Sequence, residues 1–338
     1  MSVSPLIIPV FVVHQGCPHR CIFCDQRLIT GRPGGDGKVT GEQVAGIVEE
    51  WLARPRKKNG PVEVAFYGGS FTAMAKERQE ELLRAVHPFL RDGRVGGIRL
   101  STRPDGVEPA TAGMLRDLGV KVVELGVQSM EDAVLAASGR GYTAARVETA
   151  VSRLRRAGLT VGVQMMVGLP GETTGRLLIS ASRAAALAPD FVRIYPTVVL
   201  RRSGLHDLLD QGGYRPLTMN RALARVARMK QLFDARSIRV VRMGLQPTPT
   251  LEESIVAGPF HPAFGELVLS RLMFREARRQ LASRGDGAPA ILTISPRDES
   301  IFRGPGNRNL KRLAELGLLH RITLERCDDL PRRTVKLL

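Results

Sequence analysis

Three cysteines, Cys17, Cys21 and Cys24, are separated by three and then two residues. Thiolates at this spacing can wrap one loop around a face of a cubane iron–sulfur cluster, one per iron, leaving the fourth iron open. Zinc is the alternative chemistry. A structural zinc takes four closed ligands, and His14 or His19 would have to supply the last. Cys327 stands far away in an acidic Cys-Asp-Asp stretch and reads as an ordinary thiol. A tight cluster among only four cysteines is not a secreted disulfide scaffold, and it makes the cytoplasm the expected compartment.

A second chemical signal is Tyr67-Gly68-Gly69-Ser70, directly after an apolar run. Glycines in such a turn let backbone approach a ligand with no Cβ in the way. Arg103-Pro104 and Gly168-Leu169-Pro170-Gly171 close other apolar runs in the same manner.

The elements that must position these residues follow one rhythm. Apolar runs at 6–13, 62–67, 97–101, 121–125, 160–166 and 191–195 alternate with amphipathic stretches such as 42–52, 77–90 and 144–157. Six strands alternating with helices predict parallel βα units: an α/β fold built as a partial (β/α)6 barrel, or a doubly wound open sheet. Either way chemistry gathers at the carboxyl ends of the strands, where the motifs fall. The expected organisation is a barrel over 1–200 and a smaller basic α+β region over 201–338. In that region 221–233 and 264–282 read as helices. Residues 290–295, 309–316 and 320–325 read as a small mixed end, and 328–338 as a loosely held tail.

The cysteine spacing, with Phe23 before the last cysteine, resembles the signature of the radical S-adenosylmethionine (SAM) enzymes. Within that superfamily the sequence most resembles the radical domain of the Elongator catalytic subunit, a tRNA wobble-uridine modification enzyme. The matching stretches include Tyr67–Phe71, Ser101-Thr102-Arg103-Pro104-Asp105, Glu124–Ser129, Arg140-Gly141-Tyr142, Gln164–Pro170 and Ile194–Thr197. Oxygen-independent coproporphyrinogen oxidase shares a looser version. The resemblance implies that Cys17, Cys21 and Cys24 hold a [4Fe–4S] cluster and that Phe23 lies by the adenine of SAM. Gly68, Gly69 and Ser70 would receive the methionine amino group. Gln128 and Arg140 would lie near ribose and carboxylate, and Ser101 and Gln164 would complete the cofactor site, each where relatives often carry an acidic residue. It further implies cleavage of SAM to a 5′-deoxyadenosyl radical that abstracts hydrogen from a substrate, and a reductant protein such as flavodoxin or ferredoxin. The family's acetyltransferase domain has no counterpart expected after residue 200.

Composition bears on the partner. The chain carries 50 basic and 33 acidic residues, net +17, and 42 of the basic residues are arginine. Residues 201–338 hold +11 of that and 1–200 only +6. The excess points to a polyanion, and with the family resemblance to RNA, in particular tRNA. An anionic tetrapyrrole is the alternative substrate, and a non-catalytic Fe–S or haem carrier on the same scaffold the alternative class. Arg271, Arg275, Arg278 and Arg279 share most of one helix face, which reads either as a solvated face or as phosphate contacts beside the barrel mouth. Residues 258–266, around His261, could line a pocket there or start a helix. The Gly-rich basic loop 303–312 is a further candidate anion site. The longest early apolar run is far shorter than the ~20 residues that span a bilayer, so no membrane association is expected.

Overall fold

A computed structural model describes residues 5–18, 21–30, 39–55, 60–283 and 289–338. Its strands are β1 (Leu6–Phe11), β2 (Val62–Tyr67), β3 (Gly97–Thr102), β4 (Val120–Gln128), β5 (Thr160–Val167), β6 (Phe191–Pro196), β7 (Val199–Leu200), β8 (Arg239–Met243), β9 (Ile255–Ala257), β10 (Ala290–Ile294), β11 (Ile322–Arg326) and β12 (Val335–Leu337). Seven of them form one sheet in the order β1-β2-β3-β4-β5-β6-β8, every neighbouring pair parallel. Strand order equals chain order, so every crossover steps the same way. Right-handed crossovers then put the helices on one face. The sheet curls into a half-barrel whose other face is concave.

The six expected strands are all present, and β8 extends the sheet beyond residue 200. It escapes a search for apolar runs because Arg239 and Arg242 interrupt it. An edge strand has one neighbour and tolerates such polarity. The stretch 77–90 is not one helix but two, Lys76–Arg84 and His87–Arg91. Pro88 has no amide hydrogen to continue the ladder, so the second helix starts afresh around it.

The main core lies between sheet and helices. Val64, Phe66, Leu100, Val123, Val163 and Ile194 point into it and meet Leu83, Leu115, Leu154 and Val226. Side chains alternate across a strand, so the intervening residues face the concave side.

Past residue 264 the helix Phe264–Ala282 carries a second, smaller core of Met273, Ala277, Leu281, Leu292, Ile294 and Phe302. Above it sits a three-stranded sheet in the order β11-β10-β12. The tail is not loose. β12 pairs antiparallel with β10, Val335 is buried, and Asp298 accepts from Arg332 Nε at 2.7 Å and from the Arg333 amide at 2.5 Å. Among the described residues no helix is long and apolar enough to cross a membrane.

Candidate active site

The cysteine loop leaves the carboxyl end of β1 and is seated on the turn after β2. The Val12 amide donates to Tyr67 O, the His14 amide to Gly68 O, and the Ser70 amide to Gln15 O. Two glycines make this contact possible. A Cβ on Gly69 would lie 2.4 Å from Val12 O, and one on Gly16 would lie 2.1 Å from Ser70 O. The space beside Gly69 that the sequence suggests for a ligand is therefore filled by the loop itself. Gly68 has φ +91, where side chains are strained. Further along, Ile22 O accepts from the Leu205 amide, and Phe23 is buried with Cys21, Met166, Leu169 and Tyr214.

His14 is engaged in the loop: its Nε2 accepts from the Gln26 amide at 3.0 Å. His19, the other candidate zinc ligand, lies outside the described residues. Among the described residues no three His, Cys, Asp or Glu side chains converge as the ligands of a single ion do. A cubane takes one thiolate per iron and asks for spread sulfurs instead.

Two guanidiniums reach Cys21, Arg103 from the end of β3 and Arg140 from the loop after the helix Asp132–Ala137. Arg140 Nη1 lies 3.0 Å from its sulfur and Arg103 Nη1 3.8 Å. Both arginines are about 5% exposed. Arg140 is held by Gly126 O at 2.5 Å and by the Tyr142 hydroxyl at 2.7 Å, and Arg103 by Asp105 at 2.8 Å and by Arg140 O at 2.5 Å. Burial raises the Cys17 thiol and, with Cys21 beside it, pushes Cys24 up to about 12. Neither becomes a thiolate readily without a cation to share it.

Gln128 ends β4 at φ +64, where the register with β5 shifts. Its Oε1 is buried with no donor. Buried acceptors are rarely left so, and among the described residues none donates to this one. Ser70 is fully buried, its hydroxyl on Thr102 Oγ1 at 3.1 Å and the Arg103 amide at 3.3 Å. It thus ties the β2 turn to β3. Ser101 lies on the concave side, its hydroxyl 3.5 Å from Phe66 O.

The concave face holds a network that no local motif announces. Glu124, wholly buried in β4, accepts from Tyr67 at 3.1 Å, Arg99 at 3.0 Å and Gln164 at 3.1 Å, and pairs with Arg193 at 2.7 Å. Gln164 is thus bonded to a carboxylate within the barrel. Arg99 also pairs with Glu63 at 2.6 Å. Arg242 of β8 is set near Arg193 and Tyr195, and burial with its like-charged neighbour lowers its pKa. Three guanidiniums thus face two carboxylates.

Other candidates separate from this site. His261 is exposed and accepts the Ala263 amide at 3.0 Å where the helix Phe264–Ala282 begins. In the basic loop Arg303 pairs with Glu299, Arg312 pairs with Glu315, and a Cβ on Gly304 would meet Ser270 at 3.1 Å. Gly304 serves packing. Arg275, Arg278 and Arg279 are not beside the mouth. Gly265 abuts Met243 at the carboxyl end of β8, so the second half of that helix runs toward the amino ends of the strands.

The profile of the Radical SAM superfamily matches residues 11–180, half of the chain. The chain belongs to the radical SAM superfamily. The Radical_SAM C-terminal domain matches residues 189–273, which take in β8 and the first half of the helix Phe264–Ala282. The tRNA uridine(34) acetyltransferase of Methanocaldococcus jannaschii is 24% identical over 307 residues, 78% of this chain and 54% of that protein. The Elongator complex protein 3 of Danio rerio is 28% identical over 313 residues, 79% of this chain and 55% of its own length. The chain thus spans little more than half of these relatives. Among solved structures, Elp3 of the archaeon Methanocaldococcus infernus superposes with a TM-score of 0.60 at 20% identity, covering 84% of this chain and 65% of that one. The fold is shared.

This radical SAM enzyme uses the superfamily's cofactors, a [4Fe–4S] cluster and SAM. The residues present suit them. Three cysteines share one loop, two buried guanidiniums stand by the central sulfur to offset thiolate charge, and an unpartnered amide oxygen awaits a donor beside them.

Proposed function

We propose that the enzyme modifies RNA, with tRNA as substrate. The observation that carries this reading is the concave face, where Arg99, Arg193 and Arg242 outnumber Glu63 and Glu124. A phosphate-bearing nucleotide entering the half-barrel would supply the missing negative charge. The net charge of +17 and the tRNA-named relative, which matches more than three quarters of the chain, support the same substrate.

In this reading Cys17, Cys21 and Cys24 bind three irons. A cluster and SAM held there would supply the hydrogen-abstraction chemistry, one electron passed to the sulfonium giving methionine and a 5′-deoxyadenosyl radical. The chain's own residues do the placing. Arg140 and Arg103 orient Cys21, and Phe23 packs beside the adenine. The backbone of Gly68 and Gly69, fixed by Ser70, receives the methionine amino group. Gln128 turns its free Oε1 to a ribose hydroxyl, and Ser101 and Gln164 face the cofactor from the concave side. The buried walls exclude water from the radical. Flavodoxin or ferredoxin delivers the electron.

The test is 5′-deoxyadenosine formation by anaerobically reconstituted protein under reduction, with tRNA or a carboxylated tetrapyrrole added. Stimulation by tRNA is expected, with a matching nucleoside missing from RNA of a deletion strain. Stimulation by the tetrapyrrole alone would overturn the RNA substrate, and no 5′-deoxyadenosine at all would leave only a carrier.

A further inference from the structure

The helix Met219–Asp234 packs against the helix Phe264–Ala282 on the outer face of the half-barrel, away from the concave site. The first carries Arg221, Arg225 and Arg228, and the second Arg271, Arg275 and Arg278, each set at spacings of four and three that share a face. Acidic neighbours are already engaged. Arg225 pairs with Glu172 at 3.0 Å, Lys230 with Asp234 at 2.6 Å, and Arg279 with Glu276 at 2.5 Å. Among the described residues no carboxylate lies within 4.0 Å of Arg221, Arg228, Arg271, Arg275 or Arg278. Arg228 and Arg275 crowd Arg271, and Arg271 Nε is buried with no hydrogen-bond partner.

Two hollows follow this ridge. One of about 280 Å³ is bordered by Thr174, Arg221, Arg225 and Arg228. The other, about 890 Å³, is bordered by Arg275, Arg278 and Arg333 and by the Lys230–Asp234 and Arg279–Glu276 pairs. The ridge starts near the carboxyl ends of the strands, where the helix Thr174–Ala186 begins, and descends toward their amino ends over about 24 Å, the length of a 16-residue helix.

Like charges held side by side repel, and among the described residues Arg221, Arg228, Arg271, Arg275 and Arg278 have no carboxylate paired with them. Their one-turn spacing along two helices matches a repeating charge better than a point charge. We propose that this ridge docks the phosphodiester backbone of folded RNA, gripping the body of the substrate while one nucleotide enters the concave face. The proposal rests on the RNA reading above and adds a second contact surface to it, outside the barrel.

The test compares the full-length chain, the triple variant R228Q/R271Q/R275Q, and a charge-matched control, R54Q/R94Q/R116Q, taken from exposed arginines elsewhere. Gel shifts with tRNA across a salt series give log K against log salt. Each lost phosphate contact should flatten that slope by roughly 0.7–0.9, so the ridge variant should lose about two or more and the control much less. Tm should hold or rise in the ridge variant, because repulsion is relieved. If the triple variant does not fold, the single exposed substitution R228Q is expected to flatten the slope by roughly one contact. Equal slopes in ridge and control variants, with tight wild-type binding, would overturn the ridge and leave the RNA reading standing. Wild-type protein that fails to bind tRNA at about 0.15 M salt would overturn both. Intact tRNA binding with lost reduction by flavodoxin would reassign the ridge to an acidic protein.

Discussion

Glu124 is wholly buried and fully partnered: Arg99 and Arg193 lie at 3.0 and 2.7 Å, and Tyr67 and Gln164 donate to it. Burial and this carboxylate together raise the Tyr67 phenol well above its ordinary range, so it stays a donor. Glu124→Gln keeps the shape but strands the Arg193 guanidinium and leaves Arg99 with Glu63 alone. It should lower unfolding free energy by about 3–5 kcal/mol in denaturant melts, the usual consequence of breaking a buried pair from one side. The cysteines give a sharper contrast. Cys17→Ala, Cys21→Ala and Cys24→Ala should each abolish SAM cleavage and reduce iron per chain. Cys327→Ala should change neither, since that residue belongs to the small sheet, its amide on Ile294 O.

Between elements, glycine decides whether the cysteine loop can sit on the β2 turn. Gly69→Ala drives a methyl into Val12 O and Gln15 O, and both are backbone atoms that cannot swing aside. Melting temperature and iron incorporation should therefore fall together, whereas Gly46→Ala, in a helix with nothing within 4 Å, should be neutral or gain up to about 1 kcal/mol. A loss of SAM affinity alone, with cluster and stability untouched, would return Gly69 to a purely ligand-facing role. The loop after β5 offers a pH signature. Burial pushes Glu172 from 4.5 up to about 7, against the Gly168 amide and Arg225, which favour the charged form. Between those values the unfolded chain has released a proton that the folded chain keeps, so stability falls as pH rises through the window. Glu172→Gln should remove that slope, as read from melts at a series of pH values.

For the whole molecule, the helix Phe264–Ala282 is the shared beam. Phe264 and Val268 belong to the barrel core, while Met273, Ala277 and Leu281 belong to the small core beneath β10. The last strand locks that end through Asp298, which is wholly buried against Arg332 and the Arg333 amide. Asp298→Ala should cost about 2 kcal/mol, the scale of charge-assisted hydrogen bonds, and should speed hydrogen exchange first in Val335–Leu337. Uniform acceleration across the barrel would instead mean that the two cores unfold as one.

The sequence by itself determined what short-range pattern can carry. Cysteine spacing named the cluster chemistry, apolar periodicity placed six strands, and Gly-Gly after β2 marked the turn that seats the loop. Only the tertiary structure decided the rest. Glu63, Arg99, Glu124, Arg193 and Arg242 come from five strands, and they meet because parallel register and curl bring their alternate faces to one side. Arg140 reaches Cys21 across 119 positions from a loop between two helices, a meeting that only the packed fold sets. The missing Cβ of Gly69 makes room for a neighbouring loop, while the backbone of that turn keeps its proposed ligand role, and the arginines of the helix Phe264–Ala282, expected at the mouth, lie on its outer wall. Residue type and spacing fix what a side chain can do. Which side chains meet is set by strand order and crossover direction, long-range properties that no local window contains.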